Sequence, residues 1–202
     1  DVYKRQIKTG NHYYYQDKKF KIKLNTKNVY SKGMFENVCL AIKVALDLNI
    51  DKKVIQKALP LLSFEGRFQY LTKGKIKNKL NRNESIMIDG AHATADAQNL
   101  ASYLKKIKIP KYGIWAMTKN KDPDLFIKQL KGIFKKIITM PIENEISSVS
   151  AQELYKVATE NKFNVEKSDN FAQALKKISS KEKKLIVCFG SLYNCGNILN
   201  KN

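Results

Sequence analysis

The chain has 202 residues, of which 43% are hydrophobic and only 4 are proline, a composition typical of a folded protein with one sizeable core or two smaller ones. No window holds the roughly 18 consecutive apolar residues that a membrane helix needs, and the first residues lack the apolar segment of a signal peptide. Lysine and arginine outnumber aspartate and glutamate by 38 to 18, which gives a formal net charge of +20. We therefore expect a cytoplasmic protein with no membrane-spanning segment.

The excess of positive charge does not by itself indicate a nucleic-acid-binding protein. The basic residues are mostly lysine and are scattered through every segment beside abundant asparagine and isoleucine. We expect a solvated lysine-rich surface and no nucleic acid partner, although a positive field does favour polyanionic ligands. Because Cys39, Cys188 and Cys195 form no C-x-x-C pair, neither a disulfide framework nor a zinc site is predicted. We expect all three thiols to be reduced and buried.

The first 65 residues have the pattern of the end of a domain. Residues 1–6 (DVYKRQ) resemble a translated sequencing-adapter remnant, so we set them apart as a candidate non-native segment and expect the chain to be a fragment. Residues 12–24 alternate apolar and polar side chains around a turn, which predicts a β-hairpin. Helical spacing of apolar residues predicts helices over 34–48 and 52–62, the second capped by Asp51.

From residue 66 onward, short β-rich runs alternate with amphipathic helices, as in a parallel sheet covered on both faces. Residues 68–71 and 76–80 predict a hairpin around Lys73 and Gly74. The strands predicted after it are 85–88, 112–117, 136–139, 163–166 and 184–189, and the helices are 93–106, 123–132, 150–160, 170–179 and 192–199. Pro123 suits a first helical turn, and Ser150 with Glu153 forms a capping-box pattern. The sequence thus predicts two domains, 1–65 and 66–202, the second of the α/β class.

Polar residues follow two of these strands at the place where open α/β sheets collect ligands. Residues 89–92 (Asp-Gly-Ala-His) place a carboxylate and an imidazole before a helix N-terminus, which can bind anions. Residues 190–193 (Gly-Ser-Leu-Tyr) place a hydroxyl and a phenol beside another helix start. Simple capping by Asp89 and Ser191, with His92 a surface residue, explains the same patterns. Because the sequence has no nucleotide-binding glycine motif and no metal-ligand cluster, the residues alone predict only a ligand-binding α/β domain.

The order of four motifs is more specific than any one of them. A helix containing Asn37 (ENVCLAIKVAL) is followed by Gly-Arg-Phe-Gln at 66–69, then by residues 89–92, and finally by residues 190–193. Over residues 20–202 this order resembles the folylpolyglutamate synthase / dihydrofolate synthase family of the Mur ligase superfamily. The resemblance implies that residues 1–65 are the last hairpin and helices of a central P-loop ATPase domain. It implies that residues 66–202 are the Rossmann-like C-terminal glutamate-ligase domain of a Mur-type ligase.

The resemblance also implies an activity for the parent protein, which would be an ATP-dependent ligase of folate biosynthesis. It would join L-glutamate to dihydropteroate, to tetrahydrofolate or to both, by phosphorylating a carboxylate that the amine of glutamate then attacks. The residues implied by similarity are Asn37, Arg67 and Asp89 for ATP, and His92, Ser191 and Tyr193 for glutamate. The P-loop and the Mg²⁺ ligands would belong to an N-terminal part outside this fragment. We therefore expect no metal ligand here, no catalysis by the fragment alone, and a monomeric parent.

The sequence departs from the family pattern at two places, and two other functions are compatible with it. The family usually has Asn-Pro after its Asp-x-Ala-His, whereas Ala93 and Thr94 stand here, and it has His-Gln where Gly33 and Met34 stand. A peptidoglycan Mur ligase would share the fold but bind a UDP-linked substrate. A basic α/β module that binds RNA or another polyanion without chemistry is the other alternative. The motifs at 66–69 and 190–193 favour the folate family.

Overall fold

The computed structural model describes residues 6–9 and 12–202, and the side chains from His12 onward. The chain divides into two compact units, the first ending at Phe64 and the second beginning at Glu65. Of the segment that we set apart as non-native, only Gln6 lies within the described residues. Within those residues, no helix is long and apolar enough to cross a membrane.

The first unit is a three-stranded antiparallel sheet with two helices. The strands are β1 (Gln6–Thr9), β2 (His12–Gln16) and β3 (Lys21–Lys23), and the helices are α1 (Lys32–Asp47) and α2 (Lys52–Ala58), followed by a 3-10 turn, Leu59–Leu61. The predicted hairpin is confirmed as β2 and β3, and both predicted helices are present. Asp51 caps α2 by accepting the Lys53 backbone N–H at 2.6 Å. Strand β1 was not predicted from the sequence.

A small core holds the first unit together and leaves one face of its helices open. Tyr15 and Ile22 from the sheet pack with Phe35, Val38 and Ile42 from α1. An apolar groove of about 330 Å³ lies between α1 and α2, and large apolar side chains are exposed on α1 and at its C-cap, namely Leu40, Val44 and Leu48.

The second unit contains a six-stranded sheet of order β4-β5-β9-β6-β7-β8. Its elements in chain order are β4 (Gln69–Tyr70), α3 (Lys75–Lys79), β5 (Glu84–Asp89), α4 (Thr94–Leu104), β6 (Lys111–Trp115), α5 (Pro123–Lys128), β7 (Lys136–Thr139), α6 (Ala151–Glu160), β8 (Val165–Lys167), α7 (Phe171–Ile178), β9 (Lys184–Phe189) and α8 (Leu192–Asn200). Strand β4 is antiparallel to β5, and the other neighbouring strands are parallel. The predicted α/β class is confirmed.

The predicted hairpin over residues 68–80 is wrong. Gln69–Tyr70 pairs with β5, and Lys75–Lys79 forms a helical turn, α3. The first turn of α3 is held by Asn202, whose backbone and side-chain oxygens accept the N–H groups of Lys75 at 2.7 Å and Ile76 at 3.1 Å. Ile76 and Leu80 suggested a strand because both are apolar, but their spacing of four also places them on one side of a helical turn.

The centre of the sheet is almost fully buried. Strand β9 has no exposed residue, and β5 and β6 are nearly as enclosed, so these strands are the continuous apolar runs expected when helices cover both faces. All three cysteines are free and buried, as predicted. At the amino ends of β5 and β9, Glu84 and Lys184 form an ion pair with 3.5 Å between their charged atoms and side chains that are 0% and 1% exposed.

Candidate functional site

Three loops converge where β5 and β9 end. Asp89 and Phe189 are partners in the last register position of these parallel strands, so the loops that follow them start side by side. The third loop, Gly66 to Phe68, joins them through the Gly90 N–H, which donates to the Gly66 carbonyl at 2.6 Å. Residues far apart in the sequence therefore meet at the carboxyl edge of the sheet.

Two glycines allow this convergence. A Cβ at Gly90 would overlap the side chain of Leu192 at the start of α8. Gly190 has a φ of +107°, and a Cβ there would overlap the Ala116 carbonyl oxygen and lie against the Trp115 indole. The loops after β5 and β9 can approach each other, and approach the end of β6, only because neither position carries a side chain.

Asp89 lies beneath these loops and ties two of them together. Its side chain is 1% exposed, and its two carboxylate oxygens accept the backbone N–H groups of Phe68 and Ala91, each at 2.8 Å. Burial raises the pKa of Asp89 to about 6, against the lowering effect of these two hydrogen bonds and of the Arg67 guanidinium. Phe68 is held at a φ of +46° by this contact, so the carboxylate fixes the backbone that carries Arg67.

Arg67 extends from this fixed backbone toward α4. Its side chain is 33% exposed, and its Nη1 lies 4.0 Å from Oδ2 of Asp96 in the first turn of α4. A planar guanidinium that is held at its base and partly exposed at its tip suits the binding of a phosphate or carboxylate.

The ring of His92 is oriented by its own loop. Its Nδ1 lies 2.7 Å from the Gly90 carbonyl oxygen, which can only accept, so in neutral His92 Nδ1 carries the proton and Nε2 is the accepting nitrogen. Asp96 is also near, with Oδ2 at 3.8 Å from Nδ1. The imidazole therefore offers a lone pair on the side of the ring away from Gly90.

Ser191 and Tyr193 begin helix α8 and differ sharply in exposure. Ser191 is 3% exposed and caps the helix, since its Oγ accepts the N–H groups of Tyr193 at 3.1 Å and Asn194 at 3.5 Å. Tyr193 is 66% exposed. The capping explanation of Ser191 is thus observed, while its hydroxyl proton remains a donor and the Tyr193 phenol faces solvent.

The structure brings most of the predicted site residues to one edge of the second unit. Those at this edge are Arg67, Asp89, His92, Ser191 and Tyr193. Asn37 lies on α1 in the first unit, where it is exposed. Sequence reasoning missed Asp96, whose only signal was an acidic residue four positions after His92 in the first turn of a predicted helix.

A family model described as "Dihydrofolate synthetase, C-terminal domain" matches residues 72–201. The chain belongs to this family. Among curated proteins, none matches the sequence. The family membership agrees with the resemblance stated from the motifs.

Solved structures similar to this member of the dihydrofolate synthetase C-terminal family include folylpolyglutamate synthases and FolC. Mycobacterium tuberculosis folylpolyglutamate synthase with ADP and AMPPCP has a TM-score of 0.76 at 16% identity, over 97% of this chain and 46% of that chain. Escherichia coli FolC with DHPP and ADP has a TM-score of 0.76 at 18% identity, over 96% and 44%. A bifunctional folylpolyglutamate synthase/dihydrofolate synthase with Mn, AMPPNP and L-glutamate bound has a TM-score of 0.74 at 16% identity, over 95% of this chain and 44% of that chain. This chain therefore spans less than half the length of the structures it matches.

No group of three or more His, Cys, Asp or Glu side chains that could hold a metal ion occurs among the described residues of this family member. What the carboxyl edge does offer is a partly exposed guanidinium, an oriented imidazole and the N-terminus of α8. Each of these favours a negatively charged or hydrogen-bonding ligand.

Proposed function

We propose that this chain is the C-terminal part of an ATP-dependent ligase that joins L-glutamate to dihydropteroate, to tetrahydrofolate or to both, in cytoplasmic folate biosynthesis. The observation that carries the proposal is the convergence of Arg67 and His92 at the carboxyl edge of the sheet in a dihydrofolate synthetase C-terminal domain. Solved proteins of the same fold bind ADP, DHPP or L-glutamate. Residues 1–64 would then be the end of the ATPase domain of the parent.

Arg67 is assigned to the nucleotide. Its guanidinium is permanently charged and carries two N–H groups side by side, which match two oxygens of a phosphate. Asp89 supports this role through the backbone, because its enclosed carboxylate accepts the Phe68 N–H and so holds the loop of Arg67. The family resemblance implies direct contact between Asp89 and ATP. The Asp89 carboxylate is buried and each of its oxygens accepts a backbone N–H, which favours a role in holding the loop instead. Asn37 is assigned to the nucleotide from the first unit by resemblance alone.

His92, Ser191 and Tyr193 are assigned to glutamate. The free lone pair on His92 Nε2 can accept a hydrogen bond from the glutamate amine and orient the nitrogen for attack on an activated carbonyl. A carboxylate of glutamate near the start of α8 would meet the positive end of the helix dipole, the Ser191 hydroxyl and the Tyr193 phenol. When the C–N bond forms, phosphate leaves and the amine loses a proton. Mg²⁺, which neutralises phosphate charge in such reactions, would be held by residues of the parent outside this chain.

The test is glutamate ligation by a full-length protein that contains this chain. With ATP and radiolabelled L-glutamate, we expect Arg67→Ala to lower the rate by roughly 10²–10³-fold, because a charge-stabilising donor is lost. Dihydropteroate and tetrahydrofolate are supplied separately to identify the substrate. Arg82→Ala is the control, since Arg82 is exposed just before β5, at the other end of the strand. Equal activity of the two variants would contradict the assignment.

The net charge of +20 supports one competing function, the binding of a polyanion without chemistry. That function predicts RNA binding that falls steeply with salt and does not respond to ATP and folate. RNA titrations at low and high salt, with the Arg67→Ala and Arg82→Ala variants, separate the two proposals. In the ligase, the two variants differ only in glutamate ligation.

A further inference from the structure

Asp96 is the meeting point of four groups in the candidate site. Its Oδ2 accepts the backbone N–H groups of His92 at 3.3 Å and Ala93 at 3.4 Å. The same oxygen lies 3.8 Å from Nδ1 of His92 and 4.0 Å from Nη1 of Arg67. One carboxylate oxygen thus faces both partly exposed side chains that we assign to ligands.

Part of the role of Asp96 is to start helix α4. The residue before the helix, Ala93, has the extended backbone of an N-cap, with φ −117° and ψ 161°, but its methyl side chain cannot accept a hydrogen bond. Asp96, three positions later, supplies the reciprocal half of a capping box by binding the Ala93 N–H. Its negative charge also lies at the positive end of the helix dipole.

Capping is not the only contact of the carboxylate. In α6 the capping carboxylate of Glu153 accepts hydrogen bonds, among the described residues, only from Ser150. The Asp96 oxygen that caps α4 also lies near the Arg67 guanidinium and the His92 ring. Its position therefore serves both the backbone of the helix and the two side chains.

We propose that Asp96 is a positioning residue that aims the Arg67 guanidinium at its ligand. The backbone of Arg67 is already fixed by the Phe68 N–H bond to Asp89, so the remaining freedom is in its long side chain. An opposite charge on α4 limits that freedom, and a less mobile side chain loses less entropy when it binds. The inference rests on the proposed function to the extent that Arg67 is a ligand-binding residue.

The experiment separates capping from positioning in the 202-residue chain. The variants are Asp96→Ala, Asp96→Asn, the double variant Ala93→Asn with Asp96→Ala, and Glu153→Ala as a capping control on α6. Urea midpoints report the stability of the fold. ¹⁵N relaxation of the arginine Nε–H groups reports side-chain motion, and only Arg5, Arg67 and Arg82 contribute, with Arg67→Lys giving the assignment.

We expect Asp96→Ala to lower the urea midpoint and to make the Arg67 side chain more mobile. Asparagine at position 93 is a good N-cap, so the double variant should recover the midpoint, yet Arg67 should stay mobile because no opposite charge faces it. Asp96→Asn should also release Arg67, and Glu153→Ala should lower the midpoint without affecting Arg67.

A double variant with the stability and the Arg67 relaxation of the unaltered chain would show that Asp96 is only a cap, and would overturn the inference. The same holds if Arg67 in the unaltered chain moves as freely as the exposed Arg82. If the double variant does not fold, Asp96→Asn gives the decision. Because no nucleotide or folate is used, a failure of the ligation assay leaves this result standing, and the two proposals fail separately.

Discussion

Asp89 is a buried carboxylate whose pKa of about 6 lies above the ordinary value of an aspartate. The folded state therefore holds this proton more tightly than the unfolded state. Between about pH 4 and pH 6 the unfolded chain gives up the Asp89 proton while the folded chain keeps it, so this group lowers stability as the pH rises through that window. Above the folded pKa this loss of stability no longer changes with pH. The charged Asp89 carboxylate is tolerated because it accepts the N–H groups of Phe68 and Ala91.

We expect Asp89→Asn to remove this pH dependence. Relative to the variant, the unaltered chain should lose about 2 kcal/mol of unfolding free energy between pH 4.5 and pH 7. The measurement is urea unfolding of both proteins at the two pH values. Comparison with the variant cancels the other carboxylates, several of which have lowered pKa values and act in the opposite direction. Parallel pH profiles for the two proteins would contradict the assigned pKa.

At the residue scale, the sequence predicts where the site lies but not how its members act. Asp89, His92 and Ser191 were recognisable because each follows a buried strand. The exposed fraction of these side chains was not predictable, because it depends on the Gly66–Phe68 loop, which reaches the same edge from a distant part of the chain. Asp96 escaped prediction because its role depends on the missing acceptor at Ala93 and on the approach of Arg67.

The elements themselves are largely predictable, since their boundaries are set by local chemistry. Helix α6 starts where the capping box of Ser150 and Glu153 predicts, and β7 and β9 have the predicted limits. The prediction for the region from β4 to α3 was wrong because these elements are stabilised by residues distant in the sequence. Strand β4 pairs with β5, and the first turn of α3 is held by Asn202. Two apolar residues spaced four apart fit a strand and a helical turn equally well, so their spacing does not predict which one forms.

An ion pair joins β5 and β9 at their amino ends. The Lys184 ammonium donates to the Ile178 carbonyl at 2.6 Å and faces Glu84, which accepts the N–H groups of Ser180 and Asn81. Burial disfavours the Glu84 carboxylate, but the hydrogen bonds from Ser180 and Asn81, together with Lys184, hold the pKa of Glu84 below its usual range. This contribution is present at neutral pH and is lost as the pH falls through the lowered pKa.

Glu84→Gln should therefore cost about 3–5 kcal/mol of unfolding free energy, because a buried ammonium is left without its counter-charge. Replacing both members, Glu84→Met with Lys184→Met, should recover much of that loss, since no uncompensated charge remains. Urea unfolding of the single and double variants measures the difference. Lys135→Met is the control, because Lys135 pairs with Glu182 at the exposed surface and should matter far less. A single variant as stable as the double one would contradict this account.

At the scale of the whole molecule, the two units differ in how completely they enclose their apolar residues. The second unit has an extensive core built on both sides of its sheet, whereas the first leaves the apolar face of α1 and a groove beside α2 uncovered. Exposed apolar faces of this kind promote association. The sequence predicts the helices of the first unit. It does not predict which of their apolar faces stay exposed, because that depends on how the elements pack.

We expect residues 65–202 alone to fold cooperatively, with a single urea transition and a dispersed NMR spectrum, because their core is self-contained. Residues 1–64 alone should associate, since α1 and its C-cap present Leu40, Val44 and Leu48 to solvent. Sedimentation velocity of both pieces gives their size. If residues 65–202 unfold without a cooperative transition and residues 1–64 are monomeric, the claim that only the second unit encloses its own core is contradicted.

The place of β9 in the sheet has a consequence for biosynthesis. Within its sheet, β9 comes last in sequence but lies between β5 and β6, which do not pair with each other. While the ribosome is still making residues 184–189, the nascent chain holds two half-sheets, each with an open apolar edge. Closure of the second unit must therefore follow translation of its last strand, and unpaired strand edges of this kind promote aggregation until they are covered.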